Sequence, residues 1–189
     1  MNHTVTQWHS EHGYFRRLLG LLQKELDVFA AGERPNYELM CDIIAYLREF
    51  TDRIHHPRED LAFACLARRL PEMQLQLARL QQEHRVLAHV GEILLRLLAS
   101  ILDGSVAARA EVESAAATYL VYYGSHIARE EQEVLGRAAT ALTREDWEAV
   151  RNAVPHADDP LFGARPQKRF RELRRRIAVE LGGTPVPVT

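Results

Sequence analysis

The sequence has few cysteines and no long apolar run, and both shortages restrict the class of protein. Only two of its 189 residues are cysteines. Cys41 and Cys65 are predicted to lie on one helix, roughly 36 Å apart at about 1.5 Å of rise per residue. A disulfide between them is therefore excluded, which favours a reducing cytoplasm. No apolar run approaches the roughly 18–20 residues of a membrane span, so we expect no membrane partner.

The chain also lacks strand patterns, an N-terminal signal peptide and an excess of one charge. Its formal net charge of −2 gives no general attraction to nucleic acid, so we expect no nucleic-acid partner. The first residues have neither the basic nor the apolar region of a signal peptide, and we expect a cytoplasmic protein. The Cys-x-x-Cys-His motif that attaches haem is absent, as is a flavin motif. Any redox reaction would therefore need an external reductant.

The sequence does contain four long segments with apolar residues at every third or fourth position, which predicts four helices. We place helix A at Thr4–Ala31, helix B at Asn36–Leu70, helix C from Pro71 to the Asp103-Gly104 pair, and helix D at Val106–Thr140. Short connections make neighbouring helices antiparallel, so we predict an all-α, up-down-up-down four-helix bundle. Pro57 lies inside helix B and predicts a bend just after His56.

Two shorter helices follow the bundle. The first spans Arg144–Val154 after a capping-box pattern, and the second begins at Pro166. Apolar residues on this last, arginine-rich helix favour packing against the bundle over binding to nucleic acid or membrane. We therefore predict that residues 1–142 form the bundle, 143–181 a helical extension packed on it, and 182–189 a flexible tail.

Polar residues interrupt the apolar stripes at one level of the predicted bundle. They are His12 on helix A, His55 and Glu59 on B, His84 on C, and His126 and Glu130 on D. Each needs a partner, because burying an unpaired polar group costs several kcal/mol. Counting residues from the helix ends places the four histidines within roughly 10 Å of one level. A lone histidine would more often be a satisfied core residue, but four at one level predict a metal site.

The two carboxylates of this set suggest how many metal ions it holds. Glu59 follows His55 by four residues, and Glu130 follows His126 by four, so each pair shares a helix face. Imidazole and carboxylate suit iron, manganese or zinc. Two carboxylates that can each bridge favour two metal ions over one.

The order and spacing of these motifs resemble those of hemerythrin-like, or HHE cation-binding, domains. The resemblance covers about residues 8–140 and rests on the segments Glu11–Phe15, His55-His56-Pro57-Arg58-Glu59-Asp60, Glu83-His84 and His126-Ile127-Ala128-Arg129-Glu130-Glu131. It implies a non-haem di-iron centre inside a four-helix bundle, with manganese or zinc less favoured than iron. By this resemblance the terminal ligands are His12, His55, His84 and His126, and the bridging carboxylates are Glu59 and Glu130.

The chain departs from oxygen-carrying hemerythrins on helices C and D. Those proteins have a second histidine four residues after the first on helix C, where this chain has Ala88. His89 lies one residue further on and is turned about 140° from the first histidine. On helix D those proteins have an aspartate five residues after the histidine, whereas this chain has Glu131 at that position and Glu130 at the position four residues after His126. We favour Glu130 as the ligand, because it stays on the apolar stripe.

His56 directly follows His55 and is a candidate fifth histidine ligand. In the hemerythrin domain of the iron-sensing F-box ubiquitin-ligase subunit, the residue after the first helix B ligand also binds metal. The bend expected at Pro57 would turn both rings inward. His9 and His89 are reserve candidates.

The resemblance implies a di-iron protein that binds O2, NO or a related small ligand at an oxo- and carboxylate-bridged centre. Five histidines would leave one open coordination position, which suits a diatomic gas, whereas four would leave two and admit water and peroxide. Two other functions remain open. One is an enzyme that decomposes peroxide or supports repair of iron–sulfur clusters. The other is an iron or redox sensor that acts through a partner, and a homodimer is also possible.

Overall fold

The computed structural model describes residues 3–105, 107–154, 159–163 and 166–180, and these residues contain no β-strand. The described chain forms eight α-helices: α1 His3–Ala30, α2 Tyr37–Phe50, α3 His56–Arg69, α4 Gln74–Leu102, α5 Arg109–Arg129, α6 Leu135–Ala141, α7 Arg144–Ala153 and α8 Arg171–Glu180. Short π turns join α2 to α3 (Thr51–His55) and α5 to α6 (Glu130–Val134), and 3-10 turns precede α4 (Pro71–Met73) and α8 (Lys168–Phe170).

The four predicted long helices form a bundle. Helix A is α1, helix B is α2 with α3, helix C is α4, and helix D is α5 with α6. Contacts between α1 and α2, α2 and α4, α4 and α5, and α1 and α5 close the ring of four. The all-α prediction is confirmed. Helix D starts at Arg109, later than expected, and the predicted start at Val106 lies outside the described residues.

The predicted bend just after His56 stays a prediction, but helix B contains a π turn directly before that residue. The helix widens over Thr51–His55, before His56, and the His56 N–H donates to the carbonyl of Thr51. Proline has no N–H, and its ring excludes the carbonyl four residues earlier, so Pro57 disturbs the turn that precedes it. The second π turn, Glu130–Val134, was not predicted. Such turns inside α-helices occur frequently at functional sites.

The two shorter helices lie against the bundle. The Thr143 side chain accepts the Asp146 N–H and the Asp146 carboxylate accepts the Thr143 N–H, so the predicted capping box is present. Helix α7 packs against α3, and α8 packs against α2. The last helical segment begins at Lys168, two residues later than the predicted start at Pro166.

Three other sequence predictions concern the domain boundary, the tail and the membrane, and their outcomes differ. The domain boundary after residue 142 stays a prediction. The predicted flexible tail, 182–189, lies outside the described residues. None of the described helices combines the length and apolar character that a membrane crossing requires.

Buried apolar side chains form two clusters, one on each side of a polar layer. The larger cluster joins α1, α2, α4 and α5 and includes Phe15, Leu22 and Leu94. The smaller cluster lies towards the other end of the bundle and includes Trp8 and Leu66. Each fully buried leucine or phenylalanine contributes about 1.5–3 kcal/mol. The apolar clusters therefore stabilise the bundle on both sides of a layer that has little apolar surface of its own.

Candidate metal centre

The structure brings all seven residues predicted as metal ligands into this polar layer. Each of them is at most 5% exposed. They are His12, His55, His56, Glu59, His84, His126 and Glu130.

The first π turn explains how two consecutive histidines reach the same interior. Neighbouring residues of an α-helix point about 100° apart, so they do not normally share a buried face. His55 ends the π turn and His56 begins α3. Both are buried, at 1% and 4% exposure. The wider turn therefore lets both rings point into the interior, which is the effect predicted from the sequence for a bend at Pro57.

One half of the layer is formed by His12 and His55 with one oxygen from each central glutamate. The Nε2 atoms of His12 and His55 lie 3.0 Å apart. Glu59 Oε1 lies 3.4 Å from the His12 Nε2 and 3.2 Å from the His55 Nε2. Glu130 Oε2 lies 3.4 Å from the His12 Nε2. Four atoms that could each coordinate a metal ion, two nitrogens and two oxygens, thus face one small volume.

The other half contains three histidines. Glu130 Oε1 lies 3.3 Å from Nε2 of His84 and 3.2 Å from Nε2 of His126. Glu59 Oε2 lies 3.6 Å from Nε2 of His84. The His56 ring stacks on the His84 ring at 4.0 Å. Donor atoms of His56, Glu59, His84 and His126 all lie within 4.8 Å of one another.

Glu59 and Glu130 connect the two halves. Oε1 of Glu59 faces the first half and Oε2 the second, whereas Glu130 presents Oε2 to the first and Oε1 to the second. Two sets of side chains are close enough together to hold a metal ion, and Glu59 belongs to both. One set is His56, Glu59, His84 and His126, and the other is His12, His55 and Glu59. Each of the two glutamates therefore has one oxygen near each half of the layer.

The unsatisfied atoms of the layer fit a metal centre. Within the described parts of the chain, both Glu59 oxygens, Glu130 Oε2 and His126 Nε2 are buried without a hydrogen-bond partner. Unsatisfied buried polar atoms are rare in native proteins and need an explanation. Ligands at about 2.1 Å from one ion lie about 3.0–3.4 Å from each other. The spacing of the nitrogen and oxygen donors matches this geometry, and the donor set suits iron, manganese or zinc.

Each histidine also has a carboxylate on its outward side, a feature that the sequence analysis missed. Four Nδ1–H groups donate to carboxylates: His12 to Glu131 (2.8 Å), His55 to Glu11 (2.6 Å), His84 to Asp60 (2.8 Å) and His126 to Glu83 (3.2 Å). The fifth, Nδ1 of His56, lies 3.6 Å from Asp52. Because an ionised carboxylate only accepts, each of the four bonded Nδ1 atoms carries a proton, and Nε2 is the atom left for a metal.

The reserve candidates lie outside the layer. Glu131 holds the outer side of His12, and its second oxygen lies 2.5 Å from Nδ1 of His9, whose side chain is 34% exposed. His89 lies on the exposed surface of α4. Glu130, not Glu131, faces the interior, in agreement with the choice made from the apolar stripe.

The charged groups of the layer shift the pKa values of its histidines. Burial lowers the pKa of His55, but Glu59 and Glu11 outweigh it and raise this pKa to about 10. Burial likewise lowers the pKa of His84, yet Asp60 and Glu130 raise it to about 9. His56 differs, because burial and its histidine neighbours hold its pKa well below the usual range. The raised pKa values of His55 and His84 mean that each ring holds a proton that a metal ion at its Nε2 would displace.

Aromatic rings close the layer on the sides not covered by carboxylates. The Phe15 ring stands perpendicular to the His55 ring at 5.0 Å, and the Trp8 ring lies 6.2 Å from it. The Phe63 ring lies 6.0 Å from the His84 ring. These apolar walls keep bulk water away from the centre.

Comparison with known proteins points to one family. The family model described as Hemerythrin HHE cation binding domain matches residues 3–138, from α1 into α6. The matched range includes every residue of the polar layer. Neither a curated protein nor a solved structure gave a significant match.

Proposed function

The chain belongs to the hemerythrin family of HHE cation-binding domains, and we propose that it holds a di-iron centre that binds O2, NO or a related small ligand. One observation carries this proposal. Two groups of buried nitrogen and oxygen atoms lie side by side, and Glu59 and Glu130 each present one oxygen to the first group and the other oxygen to the second. A single ion would use one group and leave the buried donors of the other unsatisfied.

The histidines divide unequally between the two ions. We assign His12 and His55 to the first ion and His56, His84 and His126 to the second. Both carboxylates would serve both ions, so the first ion would have one protein ligand fewer than the second and would be the one that accepts a small ligand. A small ligand would therefore bind on the side of His12 and His55, next to the Phe15 and Trp8 rings.

The surrounding side chains prepare this position for a small, uncharged ligand. When bound, the iron ions supply the electrons and the open coordination position that O2 or NO needs. Phe15 and Trp8 exclude bulk water and make the approach apolar. Glu131 and Glu11 hold the two histidine rings with Nε2 towards the centre. The protein thus selects ligands by size and polarity rather than by charge.

Peroxide decomposition is the second candidate function, and the position of His56 favours it. Its Nδ1 lies 3.6 Å from Asp52, whereas the other four histidines have hydrogen bonds of 2.6–3.2 Å on that side. His56 is therefore the least firmly held of the five. Without it as a ligand, each ion would have an open position, which suits a reaction with peroxide.

Metal analysis and optical spectra of protein purified with and without air test the proposal. We expect two iron ions per chain, with a visible absorption that bleaches on reduction and returns with O2. Rapid consumption of peroxide without a stable O2 adduct would favour the second candidate. One metal per chain, or zinc in protein from iron-replete cells, would contradict the di-iron assignment.

A further inference from the structure

Four carboxylates outside the donor groups link the bundle helices in a closed cycle. Each accepts a hydrogen bond from a histidine on the next helix: Glu11 of α1 from His55 on helix B, Asp60 of α3 from His84 on α4, Glu83 of α4 from His126 on α5, and Glu131 on helix D from His12 on α1. The fourth contact returns to the helix from which the first began. We refer to Glu11, Asp60, Glu83 and Glu131 as the outer ring.

Every member of the outer ring is next in sequence to a residue of the donor groups. Glu11 precedes His12, and Glu83 precedes His84. On the two helices that run the other way, Asp60 and Glu131 instead follow an inward-facing glutamate. Consecutive residues differ by about 100° around a helix axis, and reversing the helix reverses the sense of that rotation. Two carboxylates precede an inward-facing residue and the other two, on the reversed helices, follow one, so all four lie on the same rotational side of their helices. Each can therefore reach the neighbouring helix in the same direction around the bundle, which closes the cycle.

Three members of the outer ring are also held from outside. Glu11 Oε1 accepts from the Gln7 side chain at 2.7 Å. Glu83 accepts from Arg79 at 3.1 Å and pairs with Arg129 at 2.6 Å. The second oxygen of Glu131 contacts His9. Each of these three carboxylates therefore has at least one further contact besides the histidine whose Nδ1–H it accepts.

We propose that the outer ring consists of positioning residues that set the orientation and tautomer of four metal-binding histidines, each acting on a neighbouring helix. The proposal rests on the metal site proposed above. A carboxylate that accepts the Nδ1–H directs Nε2 to the centre and makes it a stronger donor. Glu11 and Glu131 then serve the first ion, through His55 and His12. Asp60 and Glu83 serve the second ion, through His84 and His126.

Glu131→Ala and Asp60→Ala test this division, one for each ion. The Asp60 side chain is 37% exposed, so its removal leaves no closed cavity. Anaerobic Fe(II) titration should show one of the two binding steps weakened by about 10–100-fold in each variant, as expected for loss of such a partner. Glu131→Gln and Asp60→Asn keep an acceptor for the Nδ1–H and should recover most of the loss. Glu133→Ala, in the same π turn but exposed, is the matched control and should titrate like the parent.

Proton NMR of the iron-loaded proteins in water gives a readout that a purely structural role would not change. The exchangeable imidazole N–H of His12 should shift or vanish in Glu131→Ala, and that of His84 in Asp60→Ala, while the other shifted N–H signals stay. A parent that binds fewer than two iron ions would contradict the proposed function. A parent with two ions whose alanine variants keep its affinities and N–H signals would overturn the outer ring alone. Lower melting temperatures of the metal-free variants with unchanged titrations would also overturn it.

Discussion

Removing Glu59 tests whether one carboxylate serves both metal ions. Glu59 is completely buried and lies within 3.6 Å of histidine nitrogens in both halves of the centre. Glu59→Ala would therefore take one ligand from each ion. His55→Ala would take a ligand from the first ion only. The two variants should lose different fractions of the stabilisation that metal provides.

The size of the effect follows from mass action. Free metal at 100 times its dissociation constant stabilises the native state by about 2.7 kcal/mol per site. Two such sites give about 5 kcal/mol, which raises the melting temperature of a chain of this length by about 10–20 °C. His55→Ala should keep about half of this rise. Glu59→Ala should keep almost none of it.

Anaerobic scanning calorimetry with and without Fe(II) measures this rise for each variant. Comparing the two states of one variant removes the cost of the cavity that the substitution creates, because both states contain it. Glu133→Ala, an exposed substitution close to Glu130, should behave like the parent. A Glu59→Ala protein that keeps a larger metal-dependent rise than His55→Ala would refute the bridging assignment.

Three further results are expected. His56→Ala should retain part of the iron and consume peroxide faster, whereas unchanged iron content and spectrum would place His56 outside the coordination sphere. The metal-free protein should lose stability as pH rises from about 6.5 through the raised pKa values of His84 and His55, about 9 and 10, and calorimetry showing a constant melting temperature would contradict this. Thr143→Ala should cost about 1 kcal/mol by removing a helix cap, with iron content unchanged in elemental analysis.

The bundle and the meeting of His12, His55, Glu59, His84, His126 and Glu130 could be predicted, because both depend on periodicity and depth along each helix, whereas His56 was a candidate only through the family resemblance and the expected bend at Pro57. A spacing of three or four residues assigns His12 or Glu130 to the inner face whatever the other helices do. Counting residues from the helix ends then assigns the level. The role of these residues as ligands stays a prediction, but their meeting at one place followed from the sequence.

The π turns and the outer ring could not be predicted in the same way. Glu130–Val134 has the composition of an ordinary helix, and nothing in it signals the wider turn. Which histidine each outer-ring carboxylate contacts depends on the order of the helices around the bundle, and the spacing of apolar residues along one helix does not reveal that order. Asp60 and Glu83 were visible in the sequence as neighbours of predicted ligands, but their partners lie on helices that only the fold brings alongside.

The 3.0 Å separation between Nε2 of His12 and Nε2 of His55 suits a cation placed between the two rings. Both rings already use Nδ1–H for a carboxylate, so any further proton must sit on Nε2. Two such protons would point at each other across 3.0 Å, and only one fits between the nitrogens. One shared proton would lie beside oxygens from both Glu59 and Glu130, each 3.4 Å from the His12 Nε2. A divalent ion in the same space would satisfy both nitrogens and both oxygens, which no arrangement of protons achieves.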